Sequence, residues 1–134
     1  MKFHPILAIA AAILSASCST APPQRFASVT GLKPEKEAYY RELHARPWPT
    51  ILAKIKDCNI RNYSIYRSEI AGRAYLFSYF EYVGKDIAAD MKKMAQDPET
   101  RRWWKETDPC QVPLPAARKK GGIWADAEEV FHAD

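Results

Sequence analysis

Ile60-Arg61-Asn62-Tyr63-Ser64-Ile65-Tyr66, followed after a polar link by Tyr75-Leu76-Phe77-Ser78-Tyr79-Phe80-Glu81-Tyr82, is the stretch that decides the fold. In the first run Tyr63 and Ile65 alternate with Asn62, Ser64 and Tyr66, the two-residue period of a strand with one face covered. The second run is dominated by aromatic residues, which favour strands. The link Ser68-Glu69-Ile70-Ala71-Gly72-Arg73 reads as a hairpin loop joining them. Upstream, residues 26–32 predict a strand ended by Lys33-Pro34. Pro34, with Glu35 and Glu37 behind it, opens a helix that runs to about Arg46, where Pro47 disfavours continuation. Pro49 opens a second helix over 50–57, with Ile51, Leu52 and Ile55 at core spacing. Downstream, Ile87, Met91 and Met94 form a helical apolar stripe. Asp97-Pro98-Glu99 is a capping residue followed by proline in the first turn, so a further helix carries Arg101 to Lys105. Residues 113–122 read as a loop and 123–132 as a last strand.

The order β-α-(α)-β-β-α-(α)-β suits an α+β fold, a ferredoxin-like split βαβ sandwich with its helices on one face of the sheet. The aromatic content of the strands leaves the other face in need of cover. A second copy of the chain is the simplest cover, with a ligand cavity expected within that face.

Composition agrees with a packed domain. Of 134 residues, 47% are hydrophobic and 27% charged, which excludes wholesale disorder. The net charge of +4 is spread among neighbouring acids and bases, such as Lys33, Glu35, Lys36 and Glu37, so nucleic acid is not an expected partner. Lys2 followed by the apolar run Ile6-Leu7-Ala8-Ile9-Ala10-Ala11-Ala12-Ile13-Leu14 reads as a signal peptide over 1–17, too short for a permanent membrane span. Leu14-Ser15-Ala16-Ser17-Cys18-Ser19 resembles a bacterial lipoprotein signal, with Cys18 as the lipidated residue; simple secretion is the alternative. Either reading exports the protein to the periplasm or cell envelope, and contact with the membrane would come only through the lipid on Cys18. Residues 18–25 are a tether and 26–134 the folded domain. Export places Cys58 and Cys110 in an oxidising space, where they could pair or remain two small buried residues; the second reading is preferred.

Of the three histidines, His4 lies in the export segment and His132 next to the C-terminus, which leaves His44 as the best-placed proton carrier. Tyr40, one helical turn earlier, shares its face. The C-terminal end of the helix favours a protonated imidazole. From these residues alone, a surface histidine beside a packed tyrosine is the commoner arrangement, and spacing does not separate the two. Trp103 and Trp104 lie about 100° apart around a helix, so one can pack while the other walls a cavity. Tyr63 and Tyr66 point to opposite sheet faces. Trp48, between two prolines, reads first as a packing residue. No phosphate-binding glycine loop and no zinc-spaced Cys/His set occurs.

Taken together, Tyr40-Arg41-Glu42-Leu43-His44 with Trp48-Pro49, then Asn62-Tyr63-Ser64-Ile65-Tyr66, Arg102-Trp103-Trp104-Lys105 and Glu129-Val130-Phe131, resemble the L-rhamnose mutarotase family over residues 26–134. The resemblance implies a homodimeric α+β barrel, an isomerase of carbohydrate metabolism that interconverts the anomers of L-rhamnose or a related 6-deoxy sugar without a cofactor or metal. It implies His44 as the catalytic proton donor, and Tyr40, Tyr63, Trp103 and Trp104 as substrate-binding residues. The chain departs from the family in its export signal, in Arg46-Pro47 and in a shortened segment after Lys105. Two other classes stay open at this point: a non-catalytic sugar-binding module, and a cofactor-free monooxygenase-like barrel, which would need a less polar pocket.

Overall fold

The computed structural model describes residues 21–133. The segment 1–17 expected to be a signal peptide, Cys18 as the expected lipid site, and His4 lie outside them. Strand β1 (Gln24–Leu32) leads through a short 3-10 turn into α1 (Glu37–Ala45) and α2 (Pro49–Asp57). The hairpin β2 (Ile60–Ile70) and β3 (Arg73–Tyr82) follows, then α3 (Ile87–Gln96) and α4 (Pro98–Thr107). A second 3-10 turn (Asp108–Cys110), β4 (Gln111–Val112), α5 (Pro115–Lys119) and β5 (Ala125–Ala127) complete the chain. The sheet order is β2-β3-β1-β4, with β5 also on β1, and every pairing is antiparallel. This is the split βαβ sandwich expected from the sequence.

The hairpin is tighter than expected. Strand β2 continues through Ile70, and the connection shrinks to Ala71-Gly72, both at positive φ (50° and 72°). Two left-handed residues make the turn that matches the twist of the flanking strands. The C-terminal part also differs: residues 113–122 contain α5, the last strand expected over 123–132 shrinks to β5, and the short β4 before it takes the next stretch of the same β1 edge. Pro113 and Pro115 interrupt the ladder between them, because proline donates no hydrogen bond. Val130 and Phe131 stay exposed beyond it.

Strand β3 sets the inner face of the sheet. Ala74, Leu76, Ser78 and Tyr82 are buried with Phe80 half-buried among them, and the register puts Thr30 opposite Leu76 and Ser28 opposite Ser78. Leu32, Tyr40, Ala74, Leu76 and Cys110 form one packed cluster, with Ile65 and Trp124 against it. At the other end Tyr82 is fully buried; its hydroxyl donates to Asp90 at 2.7 Å and accepts from the Asp86 N–H at 3.0 Å, fixing β3 to α3. Between these two ends the inner face carries Ser28 and Ser78, whose hydroxyls bond each other at 2.6 Å. Small polar residues at the middle of an otherwise apolar face leave space unfilled, and the cavity lies there.

Helix α4 starts as the sequence predicts. Asp97 accepts from the Thr100 N–H at 2.8 Å and from its hydroxyl at 2.9 Å, which satisfies an N-terminal donor that the helix cannot. That cap fixes where Trp103 and Trp104 fall. Cys58 and Cys110 are both buried free thiols, the preferred of the two sequence readings, and burial raises both pKa values.

Candidate active site

Two cavities, of about 900 and 530 Å³, lie between the helices and the inner face of the sheet. Both are walled by Tyr40, His44, Tyr63 and Trp103, so they meet around these four side chains. Their sizes are those of small-molecule sites. The ligand space is therefore on the covered face of the sheet, not on the open face where the sequence reading put it. The serines at the sheet centre are the physical reason.

His44 sits at the junction. It occupies the last turn of α1, where its Nδ1 donates to the Tyr40 carbonyl one turn earlier at 2.8 Å. A carbonyl can only accept, so Nδ1 carries the hydrogen and Nε2 is left without a bond among the described residues. The imidazole is stacked on the Tyr40 ring (centroids 4.1 Å, planes 26° apart) and meets Trp103 edge-on at 5.3 Å. Tyr40 is 4% exposed and Trp103 7%. The ring thus lies in a slot between an aromatic face and an aromatic edge.

Its electrostatics reverse one expectation. Burial lowers the His44 pKa below the ordinary imidazole value, and the bond to the Tyr40 carbonyl offsets this only in part. Desolvation of the charged form outweighs the end of a short helix. A lower pKa leaves less imidazolium at neutral pH but makes each one a stronger acid. Burial also raises the phenols of Tyr40 and Tyr63, so both remain neutral hydrogen-bonding groups.

Tyr63 owes its aim to a bulge. The ladder pairs Arg61 with Glu81 and then Ser64 with Tyr79, so Asn62 and Tyr63 together oppose Phe80. Asn62 takes a positive φ of 50° to make room. The extra residue switches which side of β2 faces the helices. Ile60, before the bulge, pairs with inward-facing Tyr82; Ile65, after it, pairs with inward-facing Ser78. Tyr63 consequently leans over Phe80, edge to face at 5.8 Å, and lines both cavities while remaining 43% exposed. Tyr66 points away and is exposed.

The adjacent tryptophans divide. Trp103 packs inward and wedges edge-on against Trp48 at 5.2 Å, while Trp104 lines the smaller cavity only. Trp48 is a packing residue, capped on its other side by the Arg102 guanidinium 4.3 Å from its ring centre. The structure thus brings Tyr40, His44, Tyr63, Trp103 and Trp104 together in one space. Sequence reasoning missed five contributors to it. Met91 and Met94 line the smaller cavity where a solid core stripe was expected, Ser28 and Ser78 form its floor, and Asp108 adds a carboxylate. Asp108 follows Trp104 by one helical turn, its N–H bonded to the Trp104 carbonyl, and that spacing was the available signal.

At the mouth of the larger cavity are Arg41, Lys56, Arg61 and Arg67. Arg41 and Arg67 converge on Glu37, and the Arg41 guanidinium foremost holds its carboxyl below the usual range. Among the described residues no cluster of His, Cys, Asp and Glu could hold a metal ion. No described helix is long and apolar enough to cross a membrane.

A family model described as L-rhamnose mutarotase matches residues 25–133. The L-rhamnose mutarotase of Bacillus subtilis is 29% identical over 111 residues, which cover 83% of this chain and 99% of that protein. That of Oceanobacillus iheyensis is 29% identical over 101 residues, 75% of this chain and 89% of that one. Among solved structures, the L-rhamnose mutarotase of Formosa agariphila superposes with a TM-score of 0.62 at 22% identity, covering 83% of this chain and 99% of that one. Tetracenomycin F2 cyclase from Streptomyces glaucescens superposes at 0.57 with 13% identity and the same coverage. The two structures share the fold; at these identities they say nothing more.

Proposed function

We infer the reaction from the family to which this chain belongs, the L-rhamnose mutarotases: the protein is an isomerase that interconverts the α and β anomers of L-rhamnose. The observation that carries the reading at the level of residues is the placement of His44, with one ring nitrogen fixed on the Tyr40 carbonyl and the other left for the cavity. Mutarotation breaks the C1–O5 bond of a hemiacetal, turns the aldehyde and closes the ring on its other face. The ring oxygen must gain a proton as O1 loses one, and both transfers reverse on closure. In our proposal His44 gives its Nε2 proton to the ring oxygen and recovers it when the ring recloses. General acid–base catalysis of this kind contributes roughly 10²–10⁴-fold. Tyr40 and Tyr63 offer neutral hydroxyls to the sugar, and the indoles of Trp103 and Trp104 offer apolar faces to its C–H groups and to the methyl of a 6-deoxy sugar.

Saturation transfer between the anomeric proton signals of L-rhamnose, with the purified protein at catalytic concentration, tests this. Exchange faster than the spontaneous rate is expected. A change in tryptophan fluorescence on adding the sugar, without faster exchange, would instead make the chain a binding module. Two placements belong to the same proposal. Lys2, the apolar run 6–14 and Cys18 support export with a lipid anchor, checked by the mass of the protein purified from the cell envelope. Val29, Tyr66, Phe77 and Tyr79, on the sheet face away from the helices, support a homodimer that covers that face, checked by light scattering.

A further inference from the structure

We propose that Asp108 is the second proton-transfer group of the reaction, the base that takes the O1 hydroxyl proton while His44 protonates the ring oxygen. The inference rests on the mutarotase reading above and extends it to the half of the reaction that one imidazole leaves without a partner. Among the described residues Asp108 is the only carboxylate that lines either cavity, and the cavity that it lines is also walled by His44, Tyr40, Tyr63 and Trp104. It sits one helical turn beyond Trp104 at the C-terminal end of α4, on the same side of that helix. No hydrogen bond or ion pair holds its side chain among the described residues. The other charged group of that cavity, Lys54, is held by Asp57 at 3.3 Å and Asp97 at 3.3 Å. A half-buried carboxylate without a partner weakens a fold, because it gives up water and receives nothing in return. Burial accordingly raises its pKa. Such a group in a cavity is explained by chemistry done there.

The protons balance. The imidazolium of His44 gives its Nε2 proton to O5 as the C1–O5 bond breaks, and Asp108 takes the O1 proton as the C1–O1 double bond forms. After rotation about C1–C2, O5 attacks the opposite face of C1. The O5 proton returns to His44 and Asp108 reprotonates O1. The pair therefore works with one proton between its two members. Around Asp108 the other titratable groups are the phenols of Tyr40 and Tyr63, the thiol of Cys110 on its own turn and the ammonium of Lys54 from α2. Burial raises the first three and hydrogen bonds to Asp57 and Asp97 raise the fourth, whereas burial moves His44 down and Asp108 up, toward each other. Activity should fall on the acid side as Asp108 becomes protonated and on the alkaline side as His44 loses its proton.

The test is anomer exchange of L-rhamnose by wild type and Asp108→Asn, measured as kcat and KM across pH, together with thermal unfolding. For Asp108→Asn the expected result is a kcat at least tenfold lower, KM within threefold of wild type, loss of the acid limb and a Tm no lower than wild type. A merely structural carboxylate would move Tm and leave the limb. A kcat within twofold of wild type, or an unchanged acid limb, overturns the proposal. Should Asp108→Asn not fold, the wild-type profile decides: two limbs support the pair and a single ionisation overturns it. A wild-type protein that does not accelerate exchange overturns the mutarotase reading itself, a result distinct from an active enzyme indifferent to residue 108.

Discussion

Replacing His44 with asparagine separates what this residue does for the fold from what it does for the reaction. The asparagine amide can occupy the place of Nδ1 and donate to the Tyr40 carbonyl, now bonded at 2.8 Å, so an interaction worth about 1 kcal/mol is kept. What disappears is Nε2 and the ring. The lost ring contacts, the stack on Tyr40 and the edge on Trp103, are each worth roughly 0.5–1.5 kcal/mol. A stability loss of about 1–3 kcal/mol follows, small enough to leave a folded protein at assay temperature. The kinetic loss should be larger, roughly 10²–10⁴-fold in kcat, or about 3–5 kcal/mol on the barrier. Saturation-transfer NMR on the two anomers of L-rhamnose gives the rate, a melting curve gives the stability, and fluorescence of the cavity tryptophans gives binding. The expected pattern is near-normal binding, a modest drop in Tm and exchange close to the spontaneous rate. A folded His44→Asn protein with kcat within threefold of wild type would refute the role given to the imidazole.

Three further outcomes follow from the same structure. The His44 pKa is lower in the folded protein than the ordinary 6.5 of the unfolded chain, so the unfolded state binds more protons between the two values; the stabilising contribution is complete above 6.5 and is lost as pH falls toward the folded value. The Tm advantage of wild type over His44→Asn should therefore shrink on acidification from pH 7.5, and an advantage that grows would contradict the burial argument. Gly84→Ala should cost about 1–3 kcal/mol, because a Cβ there would come to 2.9 Å from Asn59 Nδ2 and meet the buried Tyr82 ring, and an unchanged Tm would show that this corner yields freely. Denatured without reductant, the protein should present Cys58 and Cys110 as two reactive thiols in a mass measurement; a mass two hydrogens lighter with no reaction would mean a bridge.

Most of the architecture can be read from short-range chemistry. Pro34 and Pro49 sit in first turns, Asp97 caps α4 and the aromatic run after Arg73 forms strand β3, all where local propensity alone puts them. The hairpin was read too loosely because Ser68 and Glu69 are polar, yet they lie in an exposed stretch of β2 where strands tolerate charge. The final strand is shorter than the reading over 123–132, because its pairing with β1 ends at Ala127, opposite Ala27. At the site, the His44–Tyr40 pairing follows from a four-residue spacing. The inward aim of Tyr63 does not, since it depends on a bulge set by Asn62. Nor does the sign of the His44 pKa shift, which depends on burial completed by distant residues such as Trp103 of α4. The position of the cavity was missed because Ser28 and Ser78 are unremarkable separately and form a gap only when β1 and β3 bring them opposite each other.

The imidazole takes its orientation from a carbonyl of its own helix. Nothing on the sheet, on α4 or in a neighbouring subunit is needed to choose which nitrogen bears the hydrogen. One turn of α1 therefore transmits the reactive tautomer intact, whatever surrounds it. Drift in the methionines, the tryptophans or the bulge can reshape which sugars enter, and the proton carrier stays aimed throughout. The proton chemistry stays tied to the four-residue interval between Tyr40 and His44.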